Sequence, residues 1–106
     1  MDVDVEQAAL IAEKNDTYRR TKHSFMVTRG VQTLQDLPSL IQAVRAYGDF
    51  TEDSDPYGEH DFGKLEWYGD TVYWKIDYYN QELKYGLDPL DPKCNRVLTV
   101  LLSEEY

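Results

Sequence analysis

Apolar side chains recur at helical spacing in two parts of this chain, residues 3–21 and residues 37–47. The second part shows the complete i, i+3, i+4, i+7 pattern, and the residues that form it are Leu37, Leu40, Ile41 and Val44. Asp36 stands where an N-cap is expected, and Gly48 stands where a helix commonly ends. In the first part the stripe consists of Ala8, Ile11, Ala12, Asn15 and Tyr18. We therefore predict two helices, of which the first buries little apolar area because its stripe is small or polar.

The clearest strand signal is a hairpin within residues 64–79. Two β-rich runs flank the dipeptide Gly69-Asp70, which predicts a two-residue hairpin loop. That loop would place Trp67 opposite Val72. In this register the large apolar side chains of both strands share one face, whereas a slip by one residue would scatter them.

Two further segments read as strands. Residues 24–29 alternate, with Phe25 and Val27 predicted to face the core. Residues 96–102 are almost continuously apolar, which is typical of a central strand covered on both faces. Between the hairpin and this last strand, residues 80–95 contain two Asp-Pro pairs and predict an irregular connection.

The order helix, strand, helix, hairpin, strand predicts an α+β fold. We expect one mostly antiparallel sheet of about four strands, with two helices packed on one face. The length of 106 residues is that of a single compact domain, residues 1–106. We find no internal repeat or second domain in the sequence.

The charge balance changes which partners are expected. The chain has 20 acidic and 11 basic side chains, for a net charge of −9. Direct nucleic-acid binding is disfavoured, because affinity for phosphates comes from Lys and Arg. A basic protein surface is the expected partner instead. The nine Tyr residues fit this expectation, because Tyr is enriched at protein interfaces.

Compartment signals are few. The single cysteine, Cys94, excludes an intramolecular disulfide and fits a reducing compartment. The acidic start is unlike the basic start of a signal peptide, and no apolar run reaches membrane-spanning length. We therefore expect a cytoplasmic location, no membrane association and no cofactor.

Residues 49–61, here called the acidic loop, carry the most unusual composition. The loop holds six carboxylates and no Lys or Arg. Carboxylates two positions apart on an extended chain lie about 6.6 Å apart on one side, and DNA carries one phosphate per strand about every 3.4 Å of helix axis. The two charge densities are of similar order. The residues we expect to bind a partner are Glu52, Asp53, Asp55, Tyr57, Glu59 and Asp61.

Other chemistry fits the acidic loop less well. Counting an EF-hand from Asp53 places Lys64 where a bidentate glutamate is required, so a calcium site of that kind is excluded. No spacing typical of a transition-metal site occurs, and we expect no metal. An alternative is a small enzyme or ligand-binding domain that uses His60 as a base, oriented by Asp61 or Asp53, with Arg29 or Arg20 nearby.

Several segments resemble a small bacterial family known only as a domain of unknown function, DUF3768. The similar segments are residues 50–63, 74–79, Asp91-Pro92, residues 96–99 before the Ser-Glu-Glu-Tyr end, residues 27–30, and Asn15-Asp16 with Arg20. The resemblance covers nearly the whole chain and implies no established activity. The family is typical of alphaproteobacterial chromosomes, plasmids and prophages, a setting that suits an anti-defence role.

Three functional hypotheses follow. The first is a small acidic interaction protein that binds and blocks a basic nucleic-acid-binding surface, in the manner of an anti-CRISPR or anti-restriction protein, including by DNA mimicry. The second is the enzyme or ligand-binding domain built around His60. The third is a structural or regulatory partner protein in which the acidic loop only shapes the fold.

Overall fold

The structure is a computed structural model that describes residues 3–106. Its fold is α+β with one open sheet, as the sequence predicts, and it has three helices, of which two are predicted from the sequence. The elements in chain order are α1 (Val3–Thr21), β1 (Met26–Val27), α2 (Arg29–Gln32), α3 (Leu37–Arg45), β2 (Phe62–Trp67), β3 (Asp70–Tyr79), β4 (Asn95–Leu102) and a final 3₁₀ turn (Ser103–Glu105).

The sheet has four strands in the order β1-β4-β3-β2. The expectation of a mostly antiparallel sheet is corrected, because the sheet is mixed. β1 lies parallel to β4, with Met26 opposite Thr99 and Val27 opposite Val100, while the other two pairs are antiparallel. A parallel pair needs a long crossover, and here the whole chain between β1 and β4 provides it.

The last strand lies between β1 and β3, so its predicted central position is confirmed. Leu98 and Val100 are buried on the helix side of the sheet, and Leu101 is buried on the opposite side. The predicted first strand is shorter than expected. The strand covers only residues 26–27, and its contact with β4 ends at the hydrogen bond from Thr28 N to Val100 O, because the Thr28 hydroxyl caps the short helix α2 by accepting a hydrogen bond from Val31 N.

The hairpin forms, but the predicted register is wrong by two residues. Trp67 lies opposite Asp70, and the loop is Tyr68-Gly69. Both loop residues have positive φ, 49° for Tyr68 and 89° for Gly69, as a type I′ turn requires. A shift of two residues keeps every side chain on its predicted face, so the apolar face of the hairpin is as expected.

Helix α3 forms where its apolar pattern predicts, and Asp36 is its N-cap residue as predicted, but the helix ends before the predicted Gly48. Asp36 has a φ of 56° and makes no side-chain capping bond. The C-cap is Ala46, two residues before Gly48. The helix is therefore positioned by burial of Leu40 and Val44, both fully buried, rather than by its caps.

Both long helices pack on one face of the sheet, as predicted. α3 contributes its buried residues to a core with Val72, Trp74 and Ile76 of β3. α1 contributes Tyr18, whose hydroxyl donates a hydrogen bond to Arg96 O of β4 at 2.9 Å. The opposite face carries a smaller aromatic cluster of Phe62, Tyr73 and Tyr106.

Candidate functional site

The acidic loop connects α3 to β2 and is folded into turns. Thr51 and Ser54 exchange hydrogen bonds between backbone and hydroxyl, at 2.9 and 3.1 Å. Asp55 N donates to Thr51 O at 2.7 Å, and Gly58 N donates to Asp55 O at 3.0 Å. Residues 49–55 therefore form a turn. The extended ladder of carboxylates is not present, because hydrogen-bonded turns replace it through Gly58.

A fully buried asparagine of α1 attaches the loop to the sheet. Asn15 Nδ2 donates to Glu59 O at 2.9 Å and to the Tyr78 hydroxyl at 2.8 Å. Its Oδ1 accepts from Arg96 Nε at 2.7 Å. The Asn15 side chain thus joins α1 to the acidic loop, β3 and β4. Both its amide nitrogen and its amide oxygen make these hydrogen bonds inside the protein.

Arg19, one turn further along α1, is also fully buried. Its Nη1 donates to Asp16 Oδ1 at 3.0 Å and its Nη2 donates to Tyr47 O at 2.9 Å. The guanidinium lies over the rings of Phe50 and Trp74, with 5.4 and 5.1 Å from Cζ to the ring centroids. These contacts stabilise a cation that burial alone would disfavour. Arg19 therefore holds the start of the acidic loop against the core.

His60 is held from several sides. Its Nδ1 lies 3.0 and 3.1 Å from the two carboxylate oxygens of Asp16, and its backbone N donates to Asp55 Oδ2 at 3.2 Å. Its Nε2 lies 3.7 Å from the same Asp55 oxygen. The imidazole stacks on Phe50 with ring centroids 3.8 Å apart and planes 4° apart. The residue has a φ of 56°, so these contacts fix a backbone conformation that is uncommon for a non-glycine residue.

The sequence-predicted partner-binding residues divide into two groups. Glu52, Asp53 and Tyr57 are exposed, with 80% of Tyr57 accessible. The other three predicted residues, Asp55, Glu59 and Asp61, are partly covered. The exposed residues Glu52, Asp53 and Tyr57 are therefore accessible to a partner, whereas the three partly covered residues contribute to the shape of the loop.

Two of the partly covered carboxylates, Asp61 and Glu59, are affected by burial and by other carboxylates nearby. Burial raises the pKa of Asp61 above its usual value, and the nearby Asp55 raises it further, while the Tyr78 hydroxyl opposes the shift. Burial also raises the pKa of Glu59, as do the charges of Asp61 and Asp55. Ionisation of Asp61 and Glu59 therefore costs free energy, and a cation bound nearby would lower that cost.

The alternative ligand site is brought together only in part. His60 and Asp61 are adjacent, but the carboxylates nearest to the imidazole are those of Asp16 and Asp55. Arg29 lies in α2, which packs against β4, and it does not line the surface around His60. Arg20 does line that surface.

Two adjoining grooves run between α1 and the acidic loop. The larger has a volume of about 760 Å³ and the smaller about 430 Å³. Ala9, Gly58 and His60 line both grooves, so they form one continuous depression, here called the trough. The alanines of α1 leave this space open because their side chains are small.

Within residues 3–106, no group of three or more His, Cys, Asp or Glu side chains is arranged to hold a metal ion. Burial raises the pKa of the Cys94 thiol, which lowers the fraction of reactive thiolate. In the same range no helix is long and apolar enough to cross a membrane.

A family model described as "Protein of unknown function (DUF3768)" matches residues 27–105. The chain belongs to this family. The match begins after α1, so the helix that supplies Asn15, Asp16 and Arg19 precedes the matched range. Comparison with curated proteins and with solved structures found no match.

Proposed function

We propose that this DUF3768 protein is a small acidic interaction protein that binds a basic surface of another protein and blocks it. The observation that carries the proposal is the fixed shape of the acidic loop. Asn15 and Arg19 are fully buried, and both bond directly to the backbone of the loop or of the residues that lead into it. A loop that is ordered before binding loses little conformational entropy when a partner docks, so its charges can contribute fully to affinity.

The narrower form of the proposal concerns the partner. A basic surface that normally holds nucleic acid, such as that of a CRISPR or restriction complex, is the target that a net charge of −9 suits. The exposed Glu52 and Asp53 would meet this surface. Because the loop is curved, the mimicry would depend on total charge and loop shape and not on phosphate spacing.

The test is the affinity of the protein for a purified CRISPR or restriction complex, measured at low and at physiological salt. We expect steep weakening with salt, and a loss of about tenfold in the double variant Glu52→Gln, Asp53→Asn. The control variant Glu82→Gln, Glu104→Gln removes two exposed charges elsewhere and should bind as wild type. Full binding by the Glu52, Asp53 variant would refute the proposal.

A second candidate function rests on one observation, the orientation of His60. A carboxylate that holds one ring nitrogen of a histidine is the arrangement of many general bases, and Asp16 lies 3.0 Å from His60 Nδ1. The ring also lines the trough, where a small ligand would reach it. Hydrolysis of p-nitrophenyl acetate and p-nitrophenyl phosphate provides the test. A rate that His60→Gln abolishes supports catalysis, and a rate at background removes this candidate.

A further inference from the structure

The trough combines apolar and acidic surface in a way that specifies its occupant. On the α1 wall Val5 is 56% exposed, and on the loop wall Tyr57 is 80% exposed. Ile11 and Phe50 also line the larger groove. Apolar side chains left accessible on both walls of one groove are typical of a binding surface.

Apart from His60 and Tyr57, the titratable side chains that line the larger groove are all carboxylates. Glu52, Asp55 and Glu59 line it from the loop side. Within residues 3–106, no Lys or Arg lines this groove. Burial raises the pKa of Glu59, and the charges of Asp61 and Asp55 raise it further, so a cationic side chain placed beside Glu59 would lower the cost of its negative charge.

We propose that the trough is the binding site for a polypeptide segment of the partner in which apolar and cationic side chains alternate. The apolar side chains would pack against Val5 and Tyr57, and the Arg or Lys side chains would pair with Glu52 and Glu59. The inference rests on the proposed function, since it names the part of the basic partner that the protein recognises.

Other occupants fit less well. An acidic segment or a nucleic-acid strand would add negative charge to a groove that has an excess of it. A wholly apolar segment would cover the carboxylates without pairing them, which costs free energy. A segment that is basic but not apolar would leave Val5 and Tyr57 in contact with water.

The position of Ala9 allows the trough to be closed without any change in charge. Ala9 is exposed and lines both grooves, so the substitution Ala9→Trp places an indole in the trough without disturbing the core. The matched control is Leu10→Trp. Leu10 is the next residue of α1, is 51% exposed and lines neither groove.

The experiment uses three fluorescein-labelled peptides of equal length with alternating sequences: Arg and Leu, Arg and Ser, and Glu and Leu. Fluorescence anisotropy gives the affinity of the full-length protein for each. We expect the Arg-Leu peptide to bind at least about tenfold more tightly than the other two. We expect Ala9→Trp to weaken its binding about tenfold and Leu10→Trp to leave it within about twofold. Amide NMR shifts of the wild-type protein with this peptide should cluster in residues 5–12 and 50–60.

These measurements distinguish binding of the peptide in the trough from the more general binding of a basic surface by the acidic loop. Equal binding of the Arg-Leu and Arg-Ser peptides, or unchanged binding by Ala9→Trp, would overturn the trough as the site. In that case salt-sensitive binding that depends on Glu52 and Asp53 would still support the proposed function. Shifts that spread over all surface carboxylates would overturn the inference in the same way. Loss of peptide binding in the Glu52, Asp53 variant but not in Ala9→Trp would support charge recognition alone.

Discussion

Asp16 and His60 are 44 residues apart in the chain, yet the His60 Nδ1 atom lies 3.0 Å from Asp16 Oδ1. The same oxygen accepts a hydrogen bond from Arg19 Nη1 at 3.0 Å. One carboxylate thus joins a buried cation of α1 to the imidazole of the acidic loop. Because His60 lines both grooves of the trough, this contact determines the shape of the surface that we propose as the binding site.

The first prediction concerns that carboxylate. Asp16→Ala removes a charged partner of the buried Arg19 and the acceptor of the His60 ring, so we expect a loss of about 3 kcal/mol in the free energy of unfolding. Faster hydrogen exchange at the amides of residues 58–60 should accompany it. Asp53→Ala, at an exposed position of the same loop, is the control and should change the stability by less than about 0.5 kcal/mol. Equal stability of the two variants would contradict the role given to Asp16.

The sequence pattern of α1 predicted only part of the face that this helix buries. The predicted stripe correctly included Ile11, Ala12 and Asn15, all of which are buried. Arg19, four residues after Asn15, continues that stripe and was missed, because a charged residue is read as exposed unless its partners are known. The spacing Ile11, Asn15, Arg19 was the available signal. The partners Tyr47 and Phe50 are supplied by a distant segment, which no local pattern reveals.

The hairpin shows a second limit of prediction from sequence, which concerns the register of its two strands. The alternation of apolar residues determines which face each side chain takes, and that was predicted correctly. It does not distinguish registers that differ by two residues, because both place the same side chains on the same face. The turn decides between them, and the structure uses Tyr68 with positive φ, a position where Asn or Gly is more common.

The second prediction uses the close contact between the hairpin strands. Gly63 lies opposite Trp74 in the sheet, and a Cβ at Gly63 would overlap the indole nitrogen and lie 2.5 Å from Cε2. Trp74 is fully buried, with Arg19 over its ring, so it has no room to move. We expect Gly63→Ala to lower the free energy of unfolding by about 3 kcal/mol in urea titrations.

Gly48→Ala is the control for this substitution, because the nearest atom to its added Cβ is 4.0 Å away. This variant should have a stability within about 1 kcal/mol of wild type. If Gly63→Ala were as stable as Gly48→Ala, the packing of Trp74 against Gly63 would be disproved.

The third prediction is a pH dependence at Asp61. Burial and the neighbouring Asp55 raise its folded-state pKa above the value of 3.8 that it has when unfolded. The folded protein therefore binds the proton more tightly, and stability falls as the pH rises through the folded-state pKa. Asp61→Asn removes this cost, so the variant should melt at a higher temperature than wild type at pH 7. Calorimetry below pH 3.8 should show a smaller difference, because Asp61 is then protonated in both states. Asp53→Asn, an exposed control, should show no such pattern.

The fourth prediction has the opposite sign. Glu105 accepts hydrogen bonds from Thr28 Oγ1 at 2.6 Å, Leu102 N at 2.8 Å and Gly30 N at 3.1 Å. The bond from Thr28 contributes most to lowering the pKa of Glu105 below its ordinary 4.5. Its contribution to stability is therefore complete above pH 4.5 and is lost as the pH falls through the folded-state pKa.

Glu105→Gln should accordingly reduce the melting temperature at pH 7 and have little effect in acid, where wild-type Glu105 is protonated as well. Glu104→Gln, at the neighbouring exposed position, is the matched control. A deficit that Glu105→Gln shows equally at all pH values would mean that the charge of Glu105 is not what its three donors stabilise.

The last prediction concerns Asn15, whose side chain joins α1 to the acidic loop, β3 and β4. Asn15→Leu keeps a side chain of similar volume but leaves Glu59 O, the Tyr78 hydroxyl and Arg96 Nε without this partner. Buried polar groups that lose their partner cost about 1–3 kcal/mol each, so we expect a total loss of about 3 kcal/mol, since water can reach part of the site. Lys14→Leu makes the same replacement at the exposed neighbouring position and should be close to neutral. Asn15→Leu should also weaken binding of the Arg-Leu peptide, because the loop wall of the trough depends on the bond to Glu59 O. A variant that is destabilised but binds normally would show that the trough keeps its shape without Asn15.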